Sequence, residues 1–469
     1  MKIVSNFLKF STLFAVFLFI SCSDDDDNGP TNPPEEETTT IIDLAASANL
    51  NVLAQALTAA NLVETLEGDG PFTVFAPTDE AFAAFLAANN FSSLDDIPND
   101  VLTQVLLNHV VSGTNLSTNL TTGYISSLST AGADGRNLSL YVDTASGVEI
   151  NGVATVTSAD NEADNGVVHI VDGVIGLPTI VDHAVANGAL SSLVGALTAD
   201  GNTTFTTLLS DTTTDFTVFA PINDAFAAFT NPNGSDINSV LAYHVIPGTA
   251  AFSDELMNMY VSTAATNADG DSLSQYISVD SGVSINASSN VAVADVVAVN
   301  GVVHAVDAVI DLPTVVTFAV ADPTFAPLVT ALTDGTPDTD FVSILSGEGP
   351  FTVFAPTADA FQALLDTNME WNEVTDIDAG LLTSVLQHHV LGGANANQNI
   401  RSTDLTDGIM PETLEGDTIT INLPGTGDNI ADVTDGAGNT GIGIIVVDVQ
   451  ADNGVIHVLN QVMLPDTMN

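Results

Sequence analysis

The chain has almost no cations. Its 469 residues include 59 aspartates and glutamates, with only Lys2, Lys9, Arg136 and Arg401 to oppose them, for a formal net charge of −55. A polyanion of this kind is repelled by phosphate backbones and anionic headgroups, which excludes nucleic acid as a partner and spontaneous docking on anionic lipid. Cysteine is rarer still. Cys22 stands alone, so no intrachain disulfide forms, and the rest of the chain has no thiol for redox or thiolate–metal chemistry. Also missing are a nucleophile elbow, a glycine-rich phosphate loop and an HExxH pair, so no catalytic, cofactor or metal residue is expected. Apolar residues are not scarce. At 45% of the chain they rule out a disordered acidic polymer and point to apolar cores beneath an acidic surface.

What the chain does have, it has three times. Phe-Thr-Val-Phe-Ala-Pro occurs at Phe72–Pro77, Phe216–Pro221 and Phe351–Pro356, each time running on into an Ala-Phe pair. A second block follows each copy: NGVVHIVDGVIGLP at Asn165–Pro178, NGVVHAVDAVIDLP at Asn300–Pro313 and NGVIHVLNQVMLP at Asn453–Pro465. Two motifs in the same order, three times over, make the chain a tandem array of one domain. The copies are far longer than the repeats of up to about 50 residues that build solenoids. Each therefore buries its own core, like beads on a string. Pro178 and Pro313 lead almost directly into the next helix, so the joints are short and their freedom is limited.

Ahead of the array, residues 1–21 carry two lysines and an apolar run, Phe10–Ile20. The run is too short for a membrane span of about 20 residues and suits a signal-peptide core. Phe19-Ile20-Ser21-Cys22 resembles a bacterial lipobox, with Phe19 where leucine is usual. By that resemblance, cleavage leaves Cys22 as a lipidated N-terminus. The acidic run Asp24–Asp27 is similar to the surface-export signal of Bacteroidetes lipoproteins. Residues 22–40 read as an acidic, proline-rich tether.

Within the first copy the pattern predicts helix over Ile41–Leu66, a strand at Phe72–Phe75, a helix from the Thr78-Asp79-Glu80 cap through Ala88, and another over Val101–Val111 ended by Gly113. Leu138–Ile175 is β-rich, with LSLYV, VEI, ATVTS and VVHIV separated by Gly, Asn and Asp turns. The phenylalanine pairs Phe72/Phe75, Phe216/Phe219 and Phe351/Phe354 lead into the turn prolines Pro77, Pro221 and Pro356. They read as folding determinants, on opposite faces of the strand or both in the core if it is covered on both sides.

These motifs, with Asn108-His109, Tyr243-His244 and His388-His389 between them, resemble the fasciclin domain family over about residues 41–466. The resemblance implies an α+β fold in which helices pack on a β-wedge or sandwich, three times, at 41–178, 179–313 and 314–466. It also implies a role in cell adhesion or matrix association.

Six of the eight histidines fall at matched positions: His109, His244 and His389 near helix ends, and His169, His304 and His457 in the strand block. A repeated pair invites a metal or general-base reading. Each lies in an apolar run, and no third ligand recurs with it, so a core histidine bonded to backbone is the expectation. His183 and His388 have no counterparts. Two acidic stretches, Asp160–Asp164 and Asn267–Asp271, offer oxygens to calcium without completing the EF-hand pattern, which leaves room only for weak calcium binding.

The sequence thus reads as a non-catalytic lipoprotein of the outer membrane, exposed at the cell surface or facing the periplasm. Its domains associate with cells, matrix protein or polysaccharide, and its only membrane contact is the anchor. The alternative is a surface lipoprotein that captures cations or a small ligand. The charge imbalance has a consequence under either reading. Acidic surfaces with so few counter-charges repel themselves at low ionic strength, so added salt should raise the melting temperature. A melting temperature that does not move between low and high salt would refute this.

Overall fold

In the first copy three short helices precede the strand of the leading motif. Helix α1 spans Ile41–Ser47, α2 Asn51–Ala59 and α3 Val63–Glu67. One helical pattern covers this whole stretch in the sequence. Asn49 and Asn61 divide it by adopting φ of 59° and 56°, a left-handed turn that asparagine tolerates. Thr40 and Asp43 close the head of α1 as a reciprocal capping box. Strand β1 (Phe72–Pro77) follows, then α4 (Asp79–Ala88), capped by Thr78, and α5 (Asn99–Leu107). The helical spacing of Val101–Val111 outruns the helix itself: Val110–Ser112 is strand β2, paired with β1. Strands β3 (Gly123–Ser126), β4 (Ser139–Asp143), β5 (Glu149–Ile150), β6 (Ala154–Ala163) and β7 (Gly166–Val171) complete the copy. The computed structural model describes residues 39–336, 339–392 and 399–466. The leader, Cys22 and the tether as far as Thr38 lie outside them.

The sheet runs β2-β1-β7-β6-β5-β4-β3. All neighbours are antiparallel except β1 and β7, which are parallel. The two repeated motifs, far apart in the chain, therefore lie side by side with Phe75 opposite His169. The second copy pairs Phe216–Pro221 with Gly301–Val306 in the same register, and the third pairs Phe351–Pro356 with Gly454–Leu459. Gly166 heads β7 because a Cβ there would lie 2.0 Å from the carbonyl oxygen of Phe72. Gly301 and Gly454 meet Phe216 and Phe351 in the same way, at 2.0 and 2.3 Å.

Strand β1 is covered on both sides. Val74 and Ala76, with Phe72 at their edge, face a cluster built with Leu53, Leu57 and Leu106 of the helices. Phe75 points the other way, into a cluster with Leu140, Val142 and Ile150 of β4 and β5. The second and third copies divide their phenylalanines likewise, Phe216 and Phe351 to the helical side, Phe219 and Phe354 to the strand side. The first residue of the second motif ties the layers together. Asn165 accepts from the Ile41 N–H at the head of α1 and donates to the Leu66 and Gly68 carbonyls at the end of α3. Asn300 and Asn453 make the same three bonds in their copies.

Phe75 is fully buried. Phe75→Ala should cost about 3–5 kcal/mol of stability, read by urea unfolding. A loss below about 1 kcal/mol would mean that the strand-side cluster does not depend on this ring.

Candidate functional site

The helix-end histidines are structural ties. His109 Nδ1–H donates to the Val105 carbonyl at 2.7 Å, and Nε2 accepts from the Ile175 N–H at 2.9 Å. His244 bridges Val240 and Ile310, and His389 bridges Val385 and Met463, at the same distances. Both ring nitrogens are spent on fastening a helix to the segment beyond the last strand. The strand histidines hold the other tautomer. His169 Nε2–H donates to Asn115 O at 2.9 Å, Nδ1 accepts from the Asp160 N–H at 3.2 Å, and the ring stacks on Phe75 with centroids 5.6 Å apart. His304 repeats this with Ala251, Asp295 and Phe219. His457 donates to Ile400 and lies beside Phe354, while its Nδ1 has no hydrogen-bond partner.

One partner of these histidines escapes sequence reasoning. Asp160 sits at a bulge in β6 with φ of 57°, and its carboxylate accepts from the Ser117 N–H at 2.7 Å and hydroxyl at 2.6 Å. Ser253–Asp295 and Ser402–Asp448 recur in the other copies, with the aspartates at φ of 60° and 61°. Serine and aspartate thus pair three times, with the histidine bonded to the aspartate N–H in the first two copies, but the contacts are in the wrong order for a nucleophile. The hydroxyl donates to the carboxylate and not to the imidazole, and the imidazole donates to a main-chain carbonyl. The arrangement latches the segment after β2 onto the bulge. The signal was available: an aspartate stands at the same distance ahead of each strand histidine.

His388 occupies the place of Asn108 and Tyr243 in the other copies. It is fully buried, and its ligand atoms and those of Glu415 and Asp417 lie within 4.8 Å of one another. The surrounding bonds argue against coordination by this ring. Nε2 accepts from the Gly436 N–H at 3.1 Å, which leaves the proton on Nδ1, facing Thr413 at 3.4 Å and Glu415 at 3.9 Å. Burial lowers the His388 pKa and raises that of Glu415.

The acidic stretches do not gather their carboxylates. Asp160 serves Ser117, and Asp164 accepts from the Thr39 N–H. In the second stretch Asn267 accepts from the Asp269 and Asp271 N–H groups, and both aspartates then reach the third copy: Asp269 to Asn399 at 2.8 Å and Asp271 to Arg401 at 3.2 Å. The other arginine is also at a joint. Arg136 of the first copy pairs with Asp254 and Glu255 of the second, both at 2.9 Å, with its guanidinium 3.9 Å from the centre of the Phe252 ring.

The two joints share one design. The Val297 N–H donates to Ser139 Oγ at 2.9 Å, as the Gln450 N–H does to Ser274 Oγ at 3.0 Å. Tyr124 and Tyr141 pair at 5.1 Å, and Tyr124 meets the edge of His183 on the next copy's first helix. Tyr260 and Tyr276 pair at 5.0 Å, and Tyr260 meets Phe318 and donates to Asp322. The beads suggested by the motif spacing are therefore in bonded contact.

Burial pushes His109, His183 and His244 down to about 4 and His389 to about 3, against 6.5 for a free histidine. The unfolded chain takes up these protons near pH 6.5 and the folded chain does not, so stability should fall as pH drops from about 6.5 to about 4. The loss should be on the order of 10 kcal/mol over the whole span, because each of the four histidines forfeits on the order of 1.4 kcal/mol for every pH unit that separates its folded from its unfolded titration. Urea titrations at high salt, where surface repulsion is screened, should show it between pH 7 and 4.5; a flat profile would contradict it.

Comparison with known proteins places these features in a family. The Fasciclin domain model matches residues 48–178, 188–313 and 324–465. Protein sll1483 of Synechocystis sp. is 41% identical over 136 residues, 29% of this chain and 72% of that protein. Human periostin is 27% identical over 434 residues, 87% of this chain but 45% of periostin, and rabbit transforming growth factor-beta-induced protein ig-h3 is 26% identical over 417 residues, 88% of this chain and 56% of ig-h3. This chain thus spans about half the length of those two animal proteins. Among solved structures, the FAS1 domain pair of the insect cell adhesion molecule fasciclin I aligns with 57% of this chain at 20% identity and a TM-score of 0.34. With three matches across most of its length, each carrying the paired motifs and their histidines, the chain belongs to the fasciclin domain family.

Proposed function

We propose that the chain is a non-catalytic adhesive array, held in the outer membrane by lipid on Cys22 and exposed at the cell surface. It binds matrix protein or polysaccharide through fasciclin domains at 41–178, 179–313 and 314–466. Membership in the family supports a role of the cell-adhesion or matrix type. The observation that carries the reading furthest is the joint used twice, which holds three copies of one domain in series. Weak contacts on successive domains then add, because each first contact raises the effective concentration of the next. The histidines repeated in every copy donate to main-chain carbonyls and the repeated aspartates hold serines, which favours recognition over chemistry.

Purified full-length chain should bind immobilised cells or extracellular polysaccharide saturably, and the binding should persist in chelator, because the acidic stretches are tied to serine, arginine and backbone. Cells carrying Cys22→Ala should shed the protein into the medium and lose adhesion with it. No binding under any condition, together with a tight calorimetric signal for an ion or small solute, would replace adhesion with capture.

A further inference from the structure

The first joint has an apolar groove that the architecture does not require. It encloses about 650 Å³ and is lined by Phe91, Ile97 and Val101 of the first domain's helical side, Val153 of the β5–β6 turn, Leu177, and Val185 of the second domain's first helix. This volume falls in the range of about 300–1,000 Å³ typical of ligand sites. Three of its valines are open to solvent: Val101 is 38% exposed, Val153 57% and Val185 65%. Isolated exposed valines are ordinary, but several converging in one concavity mark an interaction surface.

The second joint provides an internal control. Asn151 and Asn286 occupy equivalent turns, each accepting from a tyrosine N–H of the neighbouring strand, and His109 and His244 align the two helices. In that register Val153 corresponds to Ser288, and Val101 to Asp236, which caps the helix Ile237–Tyr243. The same joint is therefore built without either valine. Packing does not account for them.

Charge indicates what kind of partner fits. Asp182 lines the groove, and the exposed Asp95 and Asp100 neighbour the lining residues Ile97 and Val101 in the chain. Among the described residues the only Lys or Arg are Arg136 and Arg401, and both are bound at the joints. An apolar floor with Asp182 at its lining, on a surface this short of cations, selects apolar side chains flanked by positive charge and repels anionic surfaces. We propose that this groove docks a cationic amphipathic segment of a partner protein, with aliphatic or aromatic side chains in the groove and lysines or arginines on the rim. The proposal deepens the adhesive reading by naming the chemistry of one partner.

The test uses the full-length chain and two synthetic peptides of equal charge, one of leucine and lysine, the other of serine and lysine. The leucine peptide should bind saturably and at least about tenfold more tightly. Val101→Asp with Val153→Ser installs the second joint's own residues, so the melting temperature should hold. The leucine peptide should then lose at least about tenfold in affinity, although the surface has become more acidic. Equal binding of the two peptides, or affinity unmoved by the double variant, would overturn the proposal in favour of diffuse charge attraction. Binding of uncharged vesicles that the same variant abolishes would also overturn it, by assigning the groove to lipid. Loss of cell adhesion with peptide binding intact would count against the adhesive reading alone.

Discussion

The parallel pairing of β1 with β7 joins segments separated by most of a domain, so its loop-closure cost falls due before either strand has a core to enter. The antiparallel strands between them can form neighbour by neighbour; this pair cannot. Much else in the domain depends on its register. Phe75 stacks on the histidine opposite, Gly166 admits the Phe72 carbonyl, and Asn165 at the head of β7 holds the first and third helices. A slip of one residue would turn each of these groups to the wrong face. The three copies hold the register residue for residue.

Charge governs how the copies meet. Solvent-exposed ion pairs contribute only about 0–1 kcal/mol, so Arg136 and Arg401 do not by themselves hold the joints. The tyrosine pairs and the serine-to-backbone bonds do more, because they exclude water from apolar and main-chain groups. The arginines answer a problem particular to this chain: two acidic surfaces brought together repel, and Arg136 against Asp254 and Glu255, like Arg401 against Asp271, offsets that repulsion at each joint.

Much of this was legible in the sequence, and the reasons differ from element to element. The paired motifs announce the fold because their residue types are demanded by close packing in a central strand. The helical side is harder to read. The spacing through Ile41–Leu66 is continuous, and only the left-handed Asn49 and Asn61 show that it belongs to three helices. The core histidines could be expected from their apolar surroundings, yet the bulge aspartates could not be joined to the serines, because those pairs span a long loop and leave no periodicity. The joints were the least visible. Tyr124 and His183 touch only after two domains have folded, and no local pattern records such a contact.

The tyrosines bear on how far this kind of joint extends. All five in the chain lie in the first two domains, and four of them form the pairs at the joints. The third domain has none, so it lacks the aromatic pair that each of the first two presents to the domain after it. A head-to-tail contact of this sort, repeated without closure, is what builds filaments. Here the tyrosine pairs serve the two joints between the chain's own domains, so this form of the contact is used within one molecule.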